Sequence, residues 1–159
     1  MSTYRRPAHP GASIFFTVAL QDRGSGLLCA EVSRLREAVA QTRAERPFAI
    51  EAWVVLPDHL HCVWTLPEGD ADFPTRWRLI KARFSRGLPP GARRASHLAR
   101  QERAIWQRRY WEHHIRDEAD RIAHLRYCWD NPVKHGLVAA AEDWPFSSVH
   151  REIAAGRYP

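Results

Sequence analysis

The sequence is poor in cysteine and lysine, and it has no long apolar run. Its three cysteines, at positions 29, 62 and 128, lie far apart, so neither a disulfide framework nor a cysteine zinc site is predicted. We expect them to be small buried packing residues. No stretch approaches the roughly 18 to 20 consecutive apolar residues that a membrane span requires, and the first ten residues are polar and proline-bearing. These absences predict a cytoplasmic protein with no membrane partner.

What the sequence does contain is a substantial apolar fraction and a large excess of arginine. Hydrophobic residues make up 45% of the 159 positions, which favours one globular domain over residues 1–159. The net charge is +6, and only Lys81 and Lys134 among the 24 basic residues are lysines. Arginine grips phosphate and stacks on unpaired bases, so a nucleic-acid partner is indicated. A GC-rich genome would also enrich arginine, and composition alone leaves that alternative open.

The pattern of apolar residues predicts a mixture of strands and helices. Strands are predicted at 14–20, 48–56, 59–66 and 105–115, and helices at 27–44, 72–86 and 117–131, the last ended by Pro132, with a short helix after Ser147. Residues 87–103 combine prolines with arginines and are predicted to form a mobile basic loop. Because 48–56 and 59–66 form a tight hairpin, we expect an α+β fold with an antiparallel sheet and helices packed on it.

Two histidines separated by one residue form the first candidate site. On a strand, His59 and His61 would point to the same face, which we expect to be the polar or solvent side, while Leu60, Cys62 and Trp64 fill the core. Two imidazoles at this spacing can chelate one divalent ion. In a chain with nine histidines, a chance pair is the alternative.

The last long helix carries a polar stripe at helical spacing, formed by Asp120, His124, Tyr127 and Asn131. Asn131 could complete a metal shell while Tyr127 aims its hydroxyl at the substrate of the same ion. A tyrosine with its usual pKa near 10 needs a nearby cation or base to act as a nucleophile. The alternative is that Tyr127 is a surface residue and that Asn131 ends the helix before Pro132.

Basic and aromatic residues alternate in two segments, as in proteins that hold single strands. These segments are Tyr4 to Arg6 and Arg108 to Trp111. The candidate DNA contacts are Arg5, Arg6, Lys81, Arg108, Arg109, Arg116, Lys134 and His135. For the arginines the alternative is ordinary solvation, and for Trp77 and Trp111 core packing is favoured over base stacking.

Several stretches, in the same order along the chain, resemble one known family, the REP-associated tyrosine transposases of the HUH endonuclease superfamily. They are residues 4–6, 14–18, 47–72, 76–85, 106–118, 127–137, 144–151 and 156–159. The resemblance implies a ferredoxin-like antiparallel sheet flanked by helices, with a catalytic tyrosine, here Tyr127, on a late helix. It also implies Mg²⁺ or Mn²⁺ held by His59 and His61, with Asn131 as a further ligand.

The chemistry implied by the resemblance is attack of Tyr127 on a phosphodiester of single-stranded DNA. This leaves a 5′-phosphotyrosine and a free 3′-hydroxyl, and the expected substrate is a REP-type palindromic hairpin with a short guide tetranucleotide. Two alternatives stay open, a hairpin-binding protein without catalysis and a metal-dependent hydrolase that uses water. We expect a monomer or homodimer, associated with the nucleoid. The loop at 87–103 is longer than in compact relatives.

Overall fold

A computed structural model of the chain describes residues 8–158, so the candidate contacts Arg5 and Arg6 lie outside the described residues. The strands are β1 (Ser13–Ala19), β2 (Ala49–Val55), β3 (His59–Thr65) and β4 (Trp111–His114). The helices are α1 (Leu27–Ala30), α2 (Val32–Glu45), α3 (Phe73–Ser85), α4 (Ala95–Ala99), α5 (Glu118–Lys134) and α6 (Val149–Ala154), and a 3-10 turn spans Ala141–Asp143.

The four strands form one antiparallel sheet in the order β2-β3-β1-β4. β1 and β3 are therefore the inner strands, and Thr17 stands directly opposite His61. The sheet and the helices around it confirm the α+β fold that the sequence predicts. Strand β3 is thus placed where both of its faces can be covered.

The first face of the sheet packs against α2 and α3. Phe16 on β1 and Trp64 on β3 point to this side, where Phe16 contacts the ring of Trp77 from α3. Leu35 of α2 is fully buried in the same cluster. The alternating pattern of β1 and β3 explains this placement, since every second side chain faces the same way.

The second face packs against α5. Phe15 and Val63 point to this side and join Leu125, Cys128 and Trp129 from the helix in a smaller apolar cluster. The side chain of Asp117 caps the start of α5 by accepting a hydrogen bond of 2.8 Å from the backbone of Asp120, as polar residues commonly do at this position. The sheet therefore has helices on both faces.

Two helix predictions need correction. The helix predicted at 27–44 is divided at Glu31 into α1 and α2. The predicted stop at Pro132 is wrong, because α5 runs on to Lys134 with the proline inside it. Proline has no N–H group, so it removes one hydrogen bond from a helix. In α5 only two helical residues follow Pro132, and the backbone of His135 still donates to the Asn131 carbonyl at 2.9 Å.

The strand predicted at 105–115 is confirmed only over β4. Thr17 lies opposite Trp111, so an unbroken ladder would place Leu20 opposite Arg108, yet Leu20 pairs with Trp106. Between these two pairs the segment before β4 therefore contains two residues more than β1 does, and the regular pairing is interrupted there. The carbonyl of Gln107 instead accepts a hydrogen bond of 2.9 Å from Lys81.

The basic segment 87–103 contains a helix that the sequence did not predict. α4 is five residues long, and its His97 is buried, with Nδ1 accepting a hydrogen bond of 3.0 Å from the backbone of Arg94. Elsewhere the short helix predicted after Ser147 corresponds to α6. In the described part of the chain, no helix combines the length and the apolar character needed to cross a bilayer.

Candidate active site

His59 and His61 lie on the same face of β3, as strand alternation predicts, but they do not face solvent. Their relative exposures are 6% and 3%, because α5 covers this face of an inner strand. The two rings meet edge to face with centroids 4.9 Å apart. The prediction of a shared face is confirmed, and the prediction that this face is open to water is wrong.

Each imidazole is held through its Nδ1 atom. Nδ1 of His61 lies 2.8 Å from the Thr17 hydroxyl, and Nδ1 of His59 lies 2.6 Å from the carboxylate of Asp58. Asp58 is in turn 3.3 Å from Arg23. A ring that donates its Nδ1 proton presents the lone pair of Nε2, the arrangement found around metal-binding histidines.

Burial keeps both imidazoles neutral. It lowers the pKa of His61 to about 3, with further lowering from the positive charges that His59 and His135 can carry. Burial also lowers the pKa of His59, although the Asp58 carboxylate opposes this shift. Neutral imidazole is the form that coordinates a metal ion, so both rings are in the ligand form at neutral pH.

Asn131 is fully buried on the face of α5 that covers β3. Tyr127, one turn earlier, contacts the ring of His61 with centroids 5.2 Å apart, and His135, one turn later, contacts the ring of His59 at 5.3 Å. Helical spacing places Asn131 between these two contacts. The helix thus presents its amide to the histidine pair.

Unpaired polar atoms are concentrated at this point. Within residues 8–158, Nε2 of His61 and both amide atoms of Asn131 are buried without a hydrogen-bond partner. The other such atoms, in Trp64, Trp77 and His114, belong to the opposite face of the sheet. An unpaired buried group costs about 1 to 3 kcal/mol, so three atoms together fit a site that is completed by a ligand, and nitrogen with amide oxygen suits a divalent metal ion.

Tyr127 borders this cluster and reaches solvent. Its side chain is 39% exposed, and its ring also meets the ring of Phe15 edge to face at 5.7 Å. The ammonium of Lys134 lies 4.9 Å from the centre of the ring. The phenol is therefore anchored against the histidine pair, held near a positive charge and open to a substrate on its outer side.

Within residues 8–158, the predicted DNA contacts lie at the two ends of α5 and around the segment before β4. Lys134 and His135 are exposed beside Tyr127 at the end of α5, and Arg116 is exposed just before the helix begins, 3.4 Å from Asp120. Arg108 and Arg109 are exposed in the segment before β4, where Arg108 pairs with Glu102 at 2.7 Å. Core packing is confirmed for Trp77, which is fully buried, but the same prediction for Trp111 is wrong, because its side chain on the edge strand β4 is 65% exposed.

Lys81 lies in a cleft of about 670 Å³ between α3 and the segment 100–110, which Arg108 also lines. Its ammonium lies 5.1 Å from the ring centre of Tyr110 and 5.9 Å from that of Trp106. Arg78 and Arg100 also line this cleft. The mixture of cationic and aromatic groups is typical of surfaces that bind nucleic acid.

A second cluster of metal-binding side chains lies where β4 meets α5. Asp120 bridges two imidazoles, with Nε2 of His113 at 2.8 Å and Nδ1 of His124 at 3.1 Å from its carboxylate. Burial raises the pKa of Asp120, but hydrogen bonds from Arg116 and His113 outweigh this effect and lower it. The sequence placed Asp120 and His124 on one helical stripe, while His113 comes from a strand whose pairing only the tertiary fold reveals.

Known proteins show the same fold and closely similar sequences. The REP-associated tyrosine transposase of Escherichia coli K12 is 48% identical over 161 aligned positions, which cover all of this chain and 89% of the relative. The putative REP-associated tyrosine transposase of Haemophilus influenzae is 44% identical over 161 positions, covering all of this chain and 92% of that protein. No protein-family model matches the chain.

Solved structures agree with these relatives. The structure of a REP-associated tyrosine transposase bound to a REP hairpin superposes with a TM-score of 0.86 at 48% identity, covering all of this chain and 89% of that one. A putative transposase from Deinococcus radiodurans shares the fold alone, with a TM-score of 0.50 at 15% identity over 80% of this chain and 95% of that one. Fold and sequence together define a transposase. The chain belongs to the REP-associated tyrosine transposases.

Proposed function

We propose that this protein cleaves and rejoins single-stranded DNA at palindromic hairpins, with Tyr127 as the nucleophile. The observation that carries the proposal is the contact between Tyr127 and His61, whose buried Nε2 has no hydrogen-bond partner. The buried amide of Asn131, one helical turn after Tyr127, is equally unpaired. A related structure contains a REP hairpin, and the net charge of +6 suits such a polyanionic partner.

Nε2 of His59, Nε2 of His61 and Oδ1 of Asn131 are the atoms that would hold Mg²⁺ or Mn²⁺. When bound, the ion polarises the phosphate under attack and neutralises the charge that develops on it. Thr17 and Asp58 fix the two imidazoles in the ligand orientation through their Nδ1 atoms. The neutral state of the buried rings keeps these nitrogens available.

The reaction begins when the Tyr127 oxygen attacks the phosphorus of a phosphodiester. A bond forms between that oxygen and phosphorus, the bond from phosphorus to the 3′-oxygen breaks, and the departing oxygen takes a proton to become a 3′-hydroxyl. The phenol proton leaves to solvent, which reaches this half-exposed side chain. The DNA is left joined to Tyr127 through its 5′-phosphate, and attack by the 3′-hydroxyl of another strand reverses the step.

The positive charge of Lys134 favours the phenolate character that develops on Tyr127 during attack. Its ammonium lies over the ring, where a cation is attracted to the aromatic face. Arg116 and His135 are exposed at the two ends of α5. Because α5 separates them by about 25 Å, we assign them to phosphates several nucleotides apart on the bound strand, and Arg108 and Arg109 to the stem of the hairpin.

The decisive experiment incubates the purified protein with a labelled palindromic hairpin and Mn²⁺, and separates products under denaturing conditions. We expect a covalent DNA-protein adduct with the wild type and none with Tyr127→Phe. Tyr158→Phe is the matched control, because it removes the same atom from a tyrosine whose hydroxyl donates to the exposed Asp130 of α5, and it should form the adduct normally.

Each alternative gives a different result in the same assay. Cleavage that survives Tyr127→Phe would mean that water is the nucleophile. Tight hairpin binding with no adduct in any protein, with or without chelator, would mean that the protein binds hairpins without cutting them.

A further inference from the structure

His113, Asp120 and His124 bring three metal-binding side chains together outside the proposed active site. One ligand atom from each lies within 4.8 Å of the others, and the two imidazoles stack with centroids 4.5 Å apart and planes 17° from parallel. The Asp120 side chain is 8% exposed, while those of His113 and His124 are 27% and 24% exposed. The carboxylate is thus buried beneath two rings that solvent can reach.

We propose that this cluster is a second metal site, which binds a divalent transition-metal ion of the Zn²⁺ class. Two imidazole nitrogens and a carboxylate oxygen are the ligand set of zinc sites that keep a fourth position for water. Tetrahedral bonds of about 2.0 Å separate neighbouring ligand atoms by about 3.3 Å. In the cluster Oδ2 of Asp120 lies 2.8 Å from Nε2 of His113 and Oδ1 lies 3.1 Å from Nδ1 of His124, and one ligand atom of each residue lies within 4.8 Å of the others, so side-chain adjustments would bring three ligand atoms to tetrahedral spacing.

Metal binding replaces the protons that now hold the cluster together. A ring nitrogen that coordinates the ion must first lose its proton, which moves to the other nitrogen of the same ring or to solvent. The bond of 2.8 Å from Nδ1 of His124 to the Asp120 carbonyl is given up in this change. The backbone N–H of Arg116, 2.9 Å from Oδ2 of Asp120, remains to orient the carboxylate.

The guanidinium of Arg116 is the positive charge that competes with the ion. It lies 3.4 Å from Oδ2 of Asp120, but its side chain is 75% exposed. A mobile arginine at such an exposed position can turn into solvent at little cost. The competing charge therefore does not block the site.

This second site is separate from the one proposed for Mg²⁺ or Mn²⁺. Asp120 and Asn131 are eleven residues apart on α5, which corresponds to about 16 Å along the helix. Metal binding at this second site would affect Tyr127 through α5, because the ion would link this helix to the edge strand β4. His124 lies one turn before Tyr127, and both rings contact Phe15.

The test is a Co²⁺ titration of the full chain, followed by the visible absorption that a tetrahedral site gives, together with a Zn²⁺ thermal shift. The double variant His59→Ala/His61→Ala should still bind one Co²⁺ per chain in this way. Zn²⁺ at about a hundred times its Kd should raise Tm by roughly 5 to 10 °C. Adding His124→Gln should abolish both signals, whereas His150→Gln, a change at an exposed histidine on α6, should leave them intact.

Asp120→Asn in the otherwise wild-type chain provides a check that does not depend on the stability of the double variant. It should lower the number of Co²⁺ ions bound per chain from two to one and leave Mn²⁺ binding unchanged. The proposal is overturned if the tetrahedral absorption persists in full after Asp120→Asn or His124→Gln. It is also overturned if the folded His59→Ala/His61→Ala protein binds no Co²⁺.

Discussion

The Thr17 hydroxyl lies 2.8 Å from Nδ1 of His61, its direct partner across β1 and β3. The backbone register therefore sets the orientation of the imidazole before any ligand arrives. Thr17→Val keeps the shape of the side chain and removes this partner. We expect Mn²⁺ affinity to fall by about 10- to 100-fold, measured by titration calorimetry.

The control for this change is Thr42→Val. Thr42 is a buried threonine on α2 whose hydroxyl donates to the Ala38 carbonyl at 2.8 Å, on the other side of the sheet. It should lower the free energy of unfolding by about 1 kcal/mol and leave Mn²⁺ affinity unchanged. Equal losses of affinity in both variants would mean that the Thr17 effect is a general loss of stability.

Asn131→Leu should have opposite effects with and without metal. In chelator, the substitution removes two unpaired buried amide atoms, so the free energy of unfolding should stay equal or rise by about 1 kcal/mol. In saturating Mn²⁺ the wild type should gain stability and the variant should gain much less, because one ligand is missing. Urea denaturation in EDTA and in Mn²⁺ measures both effects, and a large loss of stability in EDTA would contradict the proposed role of the amide.

The two lysines of the chain should affect different steps. Lys134→Gln removes the ammonium over the ring of Tyr127, and we expect the single-turnover rate of adduct formation to fall about tenfold at saturating hairpin. Lys81→Gln acts in the cleft of Trp106 and Tyr110, so it should weaken hairpin binding and reduce the salt dependence of binding by about one ion. A rate that falls equally in both variants would place neither lysine at the chemical step.

A buried arginine makes stability depend on the ionisation of Asp70. The Arg76 side chain is 1% exposed and lies 2.7 Å from Asp70, and its hydrogen bonds hold the pKa of that carboxyl below the ordinary 3.8. A lowered folded-state pKa contributes stability above the unfolded-state value, and this contribution is lost as the pH falls. Asp70→Asn should therefore cost about 2 kcal/mol near neutral pH.

The pH dependence of this cost is the measurement. The difference in free energy of unfolding between wild type and Asp70→Asn should stay constant from about pH 7 to about pH 5, and should narrow only as the pH falls below about 4, toward the lowered folded-state pKa of Asp70. Asp143→Asn, at an exposed position, should cost little over the same range. A difference for Asp70→Asn that stays constant below about pH 4 would show that its charge is not what stabilises Arg76.

Local sequence patterns were sufficient to place His59 and His61 on one face and Asn131 on the same stripe as Tyr127. Both inferences depend only on the two-residue period of a strand and the 3.6-residue period of a helix. They could not show that α5 closes over β3, because that contact joins residues about sixty positions apart. The burial of the histidines, and with it the neutral state of His61, is a tertiary property.

The strand predicted at 105–115 and the helix end predicted at Pro132 also differ from the structure because tertiary contacts, which local patterns do not contain, decide both. Aromatic and β-branched residues favoured a strand over the whole of 105–115, but Leu20 pairs with Trp106, and this register shift ends the ladder at β4. Pro132 was expected to stop a helix that continues for two more residues. His113 meets Asp120 across the short turn that joins β4 to α5, a contact between a strand and a helix that neither the strand period nor the helix period predicts.

Phe15 touches the rings of His61, His124 and Tyr127 from a single position on β1. Residues that share a packing partner influence each other energetically. A substitution at one ring that contacts Phe15 therefore changes the packing of the other rings against it. Substitutions at His124 and His61 should therefore have combined effects that differ from the sum of their separate ones. Any substitution of this phenylalanine would change the packing of the proposed nucleophile and of both proposed metal-binding clusters together, so a single apolar side chain constrains the sequence at all three.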